Sequence, residues 1–397
     1  MSVSAGEGRS NGSAAEVFFA FLKLGLTSFG GPIAHLGYFR DEFVTRRGWF
    51  DDKDYADLVA LCQFLPGPAS SQVGFAIGLQ RAGALGAAAA FVGFTLPSAI
   101  LLVVFALGAA AIDGPIADGV LHGLKLVAVA VVAQAVLGMA KSLTPDRWRA
   151  GIAVMAVLLA VLLGGAWGQV GAIVLGAILG LVLCRDGGVA GASDMHMPVS
   201  RGVGIVSLVL FVGLLVLLPL TAGWGQGLAL FDTFYRAGAL VFGGGHVVLP
   251  LLEAGTVARG WLSADTFLAG YGAAQAVPGP LFTFAAYLGA SISGVVGAVI
   301  ALVAIFLPGF LILLAALPFW NQLRTVPAVQ AGMRGANASV VGILGLALYD
   351  PVFTSAVLSP LDFALALAGF VALVSWKLPP LAVVAALAVV GGMMALF

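Results

Sequence analysis

Long stretches without charge dominate the pattern of this chain. Residues 83–111 and 203–230 contain no Asp, Glu, Lys or Arg. Each run exceeds the ~20 residues that an α-helix needs to cross the hydrocarbon core of a bilayer. The runs are continuous in Leu, Val, Ala and Gly, whereas a transmembrane β-barrel would alternate apolar and polar residues over strands of about 10 residues. The pattern therefore predicts an all-α polytopic membrane protein.

The chain also repeats itself. Residues 21–31 (FLKLGLTSFGG) correspond to 234–244 (FYRAGALVFGG), and residues 63–68 (QFLPGP) correspond to 275–280 (QAVPGP). Trp49 matches Trp261 in the same register. Chance similarity between two Leu-, Ala- and Gly-rich halves would not keep these motifs in register, so we predict an internal duplication.

Each half contains about six hydrophobic segments, and one further segment, 203–220, links the halves. The segments of the first half are 16–36, 53–80, 83–110, 119–140, 150–164 and 167–184; those of the second are 229–252, 264–291, 294–318, 328–349, 360–376 and 379–397. The predicted organisation is a disordered tail (1–15), a first repeat (16–185), a linker with one transmembrane helix (186–227) and a second repeat (228–397).

A single linking span inverts the second half relative to the first, as in many secondary transporters. The 141–149 loop is basic, and its counterpart at 350–360 carries only Asp350. Basic loops favour the cytoplasm, which places the N-terminus inside. The basic 37–53 loop contradicts simple counting of spans. Two alternatives remain: thirteen full spans, or about nine spans plus four broken, re-entrant hairpins that return this loop to the cytoplasm.

Composition agrees with a membrane protein and narrows its function. The chain is 61% hydrophobic and 9% charged, against about 25% charged in a globular domain. Basic and acidic residues number 18 each, so no basic surface predicts nucleic-acid binding. The chain has no P-loop motif, and Cys62, Cys184 and the histidines lack metal-ligand spacing. We expect no cofactor, no metal and no enzymatic activity, and transport driven by an ion or solute gradient.

The Pro-Gly-Pro motifs indicate where the solute binds. Pro66, Pro68, Pro278 and Pro280 should break their helices. Broken backbone at membrane depth persists only beside protein or a water-filled cavity. Interrupted helices at matching positions in two inverted halves point to a transporter's binding site. The alternative is a kink that serves tight helix packing.

An anion suits these breaks. A new half-helix starts after each one, and its N-terminus offers free N–H groups and a partial positive charge. Glycines near Pro32 and in 243–245 form a second pair of breaks, whose N–H groups can form an anion-binding concavity. The candidate substrate-binding residues are Lys23, Ser28, Gly30, Gly31, Gln63, Gly67, Ser70, Ser71, Arg236, Gly243, Gly244, Gln275, Gly279 and Thr283.

Ionisable residues inside apolar segments are costly and usually functional. Lys23 and Arg236 occupy equivalent positions just before the glycine breaks, where they could attract an anion; the alternative is that they reach the lipid headgroups. Imidazole titrates near neutral pH. The candidates for proton coupling are His35, Glu42, His246 and Glu253, with helix capping or packing as the alternative for the histidines.

Two signatures resemble those of the chromate transporter family. Residues 21–35 (FLKLGLTSFGGPIAH) precede the first Pro-Gly-Pro, and residues 242–252 (FGGGHVVLPLL) precede the second. The resemblance extends from about Phe18 to Phe397 and is to the long, two-domain form of the family. It implies a secondary transporter that exports chromate across the bacterial inner membrane, driven by the proton-motive force, and so confers chromate resistance.

The resemblance leaves other functions open. Sulfate is a tetrahedral dianion like chromate, so a transporter of sulfate or another small oxyanion is one alternative. A membrane sensor or scaffold without transport is another. The expected partners are the oxyanion and the lipid bilayer, with a homodimer as an open alternative for the assembly. We expect alternating access by rocking of one half against the other.

Overall fold

The computed structural model describes residues 12–29, 31–109, 114–185, 197–241, 245–323 and 326–396. In these ranges the chain forms α-helices joined by short turns and 3₁₀ or π segments, without a β-strand. The helices are α1 (Ala14–Thr27), α2 (Gly31–Arg40), α3 (Asp52–Phe64), α4 (Ala69–Ala109), α5 (Pro115–Leu143), α6 (Arg147–Leu163), α7 (Gly165–Leu183), α8 (Arg201–Thr221), α9 (Gln226–Ala239), α10 (Val248–Thr256), α11 (Ala264–Ala274), α12 (Phe284–Ala316), α13 (Trp320–Leu323), α14 (Pro327–Ala347), α15 (Thr354–Ala356), α16 (Pro360–Val374) and α17 (Pro380–Met394).

The helices have the length and apolar surface of a multi-pass membrane protein. Within the described ranges, five helical stretches are long and apolar enough to cross a bilayer: Ala69–Gly108, Pro115–Leu143, Arg201–Trp224, Leu281–Phe319 and Pro327–Ala356. Many Leu, Val and Ile side chains on them are exposed, as a lipid-facing surface requires. The prediction of an all-α membrane protein is confirmed.

The two longest helices fold back on themselves. Gly83 has φ +62° and ψ −154°, and Gly294 has φ +62° and ψ −155°, a conformation that favours glycine. A methyl group added at Gly78 would collide with the carbonyl oxygen of Gly86, so the two sides of the turn pack directly together. We call 69–82 and 284–293 the short arms, and 83–109 and 294–316 the long arms. These turns fall where the hydrophobic pattern separates two segments.

The predicted segments 16–36, 53–80, 229–252 and 264–291 are each interrupted. Helix α1 ends before α2 begins, α3 ends before the short arm of α4, and the second half repeats this order in α9 to α12. The Pro-Gly-Pro motifs lie in the non-helical breaks, as expected. Pro32 differs, because it is the second residue of α2 and begins a helix, a position that tolerates proline.

The outer ends of the first four helical pieces lie together. The carboxylate of Glu16, in the first turn of α1, pairs with Arg47 at 3.6 Å and with Arg81 at 3.1 Å. The guanidinium of Arg81, at the end of the short arm of α4, lies 5.0 Å from the ring centre of Trp49. The start of α1, the segment after α2 and the end of the short arm of α4 therefore meet at one end of this part of the molecule.

The two halves interlock. The long arms pack on each other through Phe91, which meets Phe306 and Phe310 edge-on, and Phe105 of the first long arm stacks on Tyr287 of the short arm of α12. Helix α5 packs on α16 and α17, and α14 packs on α6 and α7. The backbones of α5 and α17 touch directly at Gly123, where an added methyl group would collide with the backbone of α17. Each half thus contributes one helix to the packing of the other.

Candidate functional site

The helix breaks of the two halves meet and exchange hydrogen bonds. The N–H of Gly67 donates to the carbonyl of Val241 at 2.7 Å, and the N–H of Gly279 donates to the carbonyl of Ser28 at 2.9 Å. Gly67 and Gly279 are equivalent in the repeat, as Ser28 and Val241 are. These two glycine N–H groups, expected to face an anion, are therefore already bonded within the protein.

A cavity of about 70 Å³ lies beside Gly279. This volume is several times the roughly 10–15 Å³ that a single water needs. The cavity brings together four residues of the sequence-predicted site, Gly31, His246, Gln275 and Gly279, which come from both halves. It is also lined by Val131, Gln134, Ala274, Val277, Leu281 and Pro380. We call this space the central cavity.

The polar side chains that line the central cavity are two amides and an imidazole. Nδ1 of His246 is hydrogen-bonded to the hydroxyl of Tyr271, which fixes the ring. The amide of Gln275 is 3.5 Å from the carbonyl oxygen of Tyr271. Gln134 was not predicted from the sequence, although an amide within the apolar run 119–140 was a usable signal. No charged side chain appears among the described residues that line this cavity.

A second polar group also lies beside Gly279. It consists of six buried side chains, Ser28, His35, Ser70, Ser71, Thr95 and Ser98, which we call the hydroxyl cluster. Nδ1 of His35 lies 3.4 Å from Oγ of Ser70. The cluster includes the first turn of the short arm of α4, whose N–H groups have no acceptor within the helix and carry a partial positive charge. Ser28, His35, Ser70 and Ser71 were predicted, and Thr95 and Ser98 were not.

Four atoms of the hydroxyl cluster have no hydrogen-bond partner among the described residues. They are Oγ of Ser28, Nε2 of His35, Oγ of Ser71 and Oγ1 of Thr95, on residues no more than 4% exposed. A buried polar group without a partner costs about 1–3 kcal/mol. Four such groups in one place indicate a site for a ligand that forms hydrogen bonds.

The equivalent region of the second half is apolar. Ser28 corresponds to Val241, His35 to Val248, and Thr95 to Phe306. Phe306 packs against Phe282 and Phe310, and Phe310 stacks on Phe75 with ring centres 4.4 Å apart. The hydroxyl of Thr283, a predicted ligand, donates to the carbonyl of Pro280 at 2.8 Å. The polar cluster therefore occurs once in the described chain although its backbone setting occurs twice.

The two predicted cations lie apart from the central cavity. Nζ of Lys23 is 3.7 Å from Oε2 of Glu42, and the Lys23 side chain is 55% exposed. Arg236 pairs with Asp232, which is fully buried. Neither cation is among the residues that line the cavity. Gln63 is exposed, unlike its cavity-lining equivalent Gln275.

Glu42 belongs to an ionic network at the outer end of the hairpins. Its Oε1 accepts a hydrogen bond from Nε of Arg47 at 2.7 Å and another from Arg46. Burial raises the pKa of the Glu42 carboxyl, but the hydrogen bonds and charges of Arg47 and Arg46 outweigh it and hold the pKa below its ordinary value. Glu253 is half-buried and does not line the central cavity. The predicted ligands Gly30, Gly243 and Gly244 lie outside the described residues.

A larger cavity, of about 630 Å³, opens near the start of α5. Its wall includes Lys125, whose Nζ is 2.8 Å from Oδ1 of Asp265, and His122, whose Nε2 is 2.8 Å from Oδ1 of Asp362. Tyr287, at the start of the hairpin in α12, also lines it. We call it the outer cavity. Its polar and charged lining makes it suitable for water.

Comparison with known proteins gives one consistent result. A family model described as "Chromate transporter" matches residues 15–181 and 228–392. The chain is 29% identical to a chromate transport protein of Pseudomonas aeruginosa over 91% of this chain and 87% of that protein. It is 30% identical to a probable chromate transport protein of Synechococcus elongatus over 93% of both chains. An uncharacterized transporter of Methanocaldococcus jannaschii is 27% identical over 85% of this chain and 84% of its own length. No solved structure matches the chain significantly.

Proposed function

Because this chain belongs to the chromate transporter family, we propose that it carries chromate, a tetrahedral oxyanion, across the membrane as a secondary transporter. The observation that carries the proposal is the set of buried hydrogen-bonding groups around Gly279, several of which have no partner among the described residues. The direction we propose is export across the bacterial inner membrane, with the N-terminus cytoplasmic, and its consequence is chromate resistance.

Neutral donors are suited to a transported anion. An oxyanion that loses its water needs hydrogen-bond donors, which hydroxyl, amide and imidazole groups and a helix N-terminus supply. A directly bound cation would hold a dianion more strongly and slow its release. We therefore propose that Lys23, whose side chain is 55% exposed, acts at a distance by raising the local anion concentration, whereas Arg236 is held by Asp232.

Inverted repeats and re-entrant hairpins are part of the proposal. They are supported by the reciprocal hydrogen bonds from Gly67 to Val241 and from Gly279 to Ser28, and by the contacts of Glu16 with Arg47 and Arg81. The outer cavity then serves as the aqueous entrance on the side where α5 begins. The interlocking of α5 and α14 with the opposite halves argues against rocking of whole halves. We propose that the hairpins move against the packed long helices.

The energy for export needs no nucleotide. A dianion that leaves a negative-inside cell gains roughly 2.3 kcal/mol per charge per 100 mV of membrane potential. A proton gradient can add to this if a group near the anion titrates. His35 and His246, which lie in the hydroxyl cluster and the central cavity, are better placed for this than Glu42 and Glu253.

Sulfate is the second candidate substrate. The hydroxyl, amide and imidazole groups described above recognise a tetrahedral arrangement of acceptors and do not distinguish chromium from sulfur. The two functions predict different physiology. Loss of an exporter of chromate sensitises cells to chromate, whereas loss of an importer of sulfate slows growth when sulfate is scarce.

The test is chromate uptake into inside-out membrane vesicles, with and without an imposed proton gradient and with sulfate as competitor. We expect gradient-dependent accumulation that sulfate reduces. The variant Gln134→Leu should lower the apparent affinity roughly tenfold, since one hydrogen bond to a charged ligand is lost. Gln169→Leu, which changes an amide of α7 outside the central cavity, is the control. Absence of uptake by folded wild-type protein would refute chromate transport.

A further inference from the structure

We infer that Thr95 is a direct ligand of the transported oxyanion and completes, with Ser28, His35 and Ser71, an occluded site that binds one anion per chain. The inference rests on the proposed oxyanion transport and goes beyond it by naming the ligand and the stoichiometry. Neither the repeated motifs nor the ionisable residues of the sequence point to Thr95, which lies within an apolar run.

The local backbone explains why Thr95 faces the cluster. Thr95 precedes Ser98 by three residues, so both lie on one face of the long arm of α4. That face lies against the second Pro-Gly-Pro, because a methyl group at Gly279 would lie 2.8 Å from Oγ of Ser98. The neighbouring Phe94 ring meets the imidazole of His35 edge-on at 5.2 Å. Phe306, the equivalent of Thr95, packs against Phe282, the equivalent of Ser70, so the repeat places Thr95 beside the first turn of the short arm of α4, where Ser70 approaches His35.

Thr95 is the cluster's free group on this arm. The hydroxyl of Ser98 donates to the carbonyl of Thr95 at 3.1 Å. Thr95 itself is 2% exposed, and its Oγ1 has no hydrogen-bond partner among the described residues. A threonine in a helix commonly bonds a carbonyl of the preceding turn, as Thr256 does with Leu252. Thr95 is not bonded in this way and remains available to a ligand.

The internal repeat supplies the argument for one anion per chain. Pro97 and Pro308 are equivalent, so the backbone of the long arm is disturbed at the same point in both halves. The positions that correspond to Thr95 and Ser98 are Phe306 and Gly309. Their surroundings are filled by stacked aromatic rings. The second half therefore offers no equivalent hydroxyl to an anion.

The experiment measures binding of sodium chromate and sodium sulfate to the full-length protein in lipid nanodiscs, by titration calorimetry and by ligand-induced shift of the melting temperature. The variants are Thr95→Val, which removes the hydroxyl at constant volume, and Thr95→Ser, which keeps it. Ser339→Ala is the matched control, because Oγ of Ser339 is also buried without a partner but lies between α7 and α14.

We expect one anion per wild-type chain and a roughly tenfold to hundredfold higher Kd for Thr95→Val. Thr95→Ser and Ser339→Ala should bind nearly as wild type. Without anion, Thr95→Val should melt at or above the wild-type temperature, since replacing an unpartnered buried hydroxyl by a methyl group relieves a cost. If Thr95→Val melted at a lower temperature, the anion affinities of Thr95→Ala and Thr95→Ser would be compared instead, because these two variants differ only in the hydroxyl group.

Wild-type affinity in both Thr95→Val and Thr95→Ala would overturn the role of Thr95. Two anions per chain would overturn the single site. Both results would leave oxyanion transport standing. Failure of folded wild-type protein to bind either anion would instead refute the proposed function.

Discussion

Single residues at equivalent positions of the two halves have acquired different surroundings. Lys23 is half exposed and lies 3.7 Å from Glu42, a buried carboxylate in the π-helical segment that follows α2. Arg236 holds Asp232, one turn earlier on the same helix and fully buried. Loss of the exposed Lys23 would leave Glu42 with Arg46 and Arg47, whereas loss of Arg236 would leave Asp232 as an uncompensated buried charge. At the same position of the repeat, the cation of the first half is therefore dispensable for stability, whereas the cation of the second half is required for it.

Replacement of these two cations should separate the two roles. We expect Arg236→Ala to destabilise the protein by roughly 3 kcal/mol, because Asp232 stays buried without its cation. Lys23→Ala should cost at most about 1 kcal/mol and leave the amount of protein in the membrane unchanged. Melting temperatures in detergent, measured together with chromate uptake, provide the check. The double variant Asp232→Asn with Arg236→Gln should recover stability; equal losses in both single variants would contradict this interpretation.

Glu42 should make the hairpin ends sensitive to acid. Its folded-state pKa lies below its ordinary value, so the unfolded chain binds this proton more readily. The stabilisation is complete above the ordinary value of 4.5 and is lost as the pH falls through the lower, folded-state pKa. We expect the melting temperature of Glu42→Gln to be lower at pH 7 and to vary less than that of wild type between pH 5 and pH 3, the window in which the carboxylate of the folded protein is protonated.

The control for Glu42 is Asp52→Asn. Asp52 pairs with Arg40 at 2.7 Å, but both side chains are more than half exposed. Such a pair is largely screened by water and salt. A melting profile of Glu42→Gln that follows wild type at every pH would show that the network of Arg46 and Arg47 does not depend on this carboxylate.

At the scale of elements, tight glycine contacts hold the hairpins of α4 and α12 closed. Gly78 lies against Gly86, and Gly289 lies against Gly297, with backbone touching backbone. Eight residues separate the members of each pair, a distance that a straight helix would extend to about 12 Å. The hairpin is thus a specific structure of glycine contacts, and not a flexible bend.

A methyl group in one of these contacts should open the hairpin. We expect Gly289→Ala to destabilise the protein by roughly 1–3 kcal/mol, because the neighbouring carbonyl of Gly297 cannot move aside. Gly138→Ala is the control, since the added methyl at that position of α5 meets nothing within 4 Å; it should be neutral or stabilise by up to about 1 kcal/mol. Thermal unfolding of both variants distinguishes them, and equal stability would refute the tight contact.

For the whole molecule, the important fact is that sequence halves and packing units differ. Helix α5 packs on α16 and α17, and α14 packs on α6 and α7. Neither half can bury its own helices without the other. The hydrogen bonds between the breaks, from Gly67 to Val241 and from Gly279 to Ser28, join the halves again at their centre.

The halves should therefore fold only together. We expect residues 1–197 expressed alone to be degraded or aggregated, because α5 would expose the face that α17 covers. Co-expression with residues 198–397 should restore a complex that copurifies through a tag on one half and accumulates chromate in vesicles. A first half that is stable alone, with a cooperative melting transition in detergent, would contradict the interlocked packing.

Local patterns in the sequence predicted the elements well, and contacts between distant elements escaped them. The apolar runs gave the helices, and the prolines gave the breaks at 65–68 and 275–280. The hydrogen bond from Gly67 to Val241 joins residues far apart in the chain, and no local pattern reports whether an N–H is already used. Thr95 and Ser98 were missed for the same reason, since a hydroxyl in an apolar run normally bonds its own helix.

The interlocked duplication has a consequence for how such a protein can change over generations. An assembly of two identical chains would carry every substitution twice. A new serine at position 28 would then appear beside both of the equivalent hydrogen bonds that join the halves. In the fused chain the two copies are encoded separately. Hydroxyl groups surround the hydrogen bond from Gly279 to Ser28. Beside Gly67 lies instead the amide of Gln72, which donates to the carbonyl of Gly309 at 2.8 Å. In a single chain, one copy can therefore carry hydroxyl groups for a ligand while the other carries rigid packing.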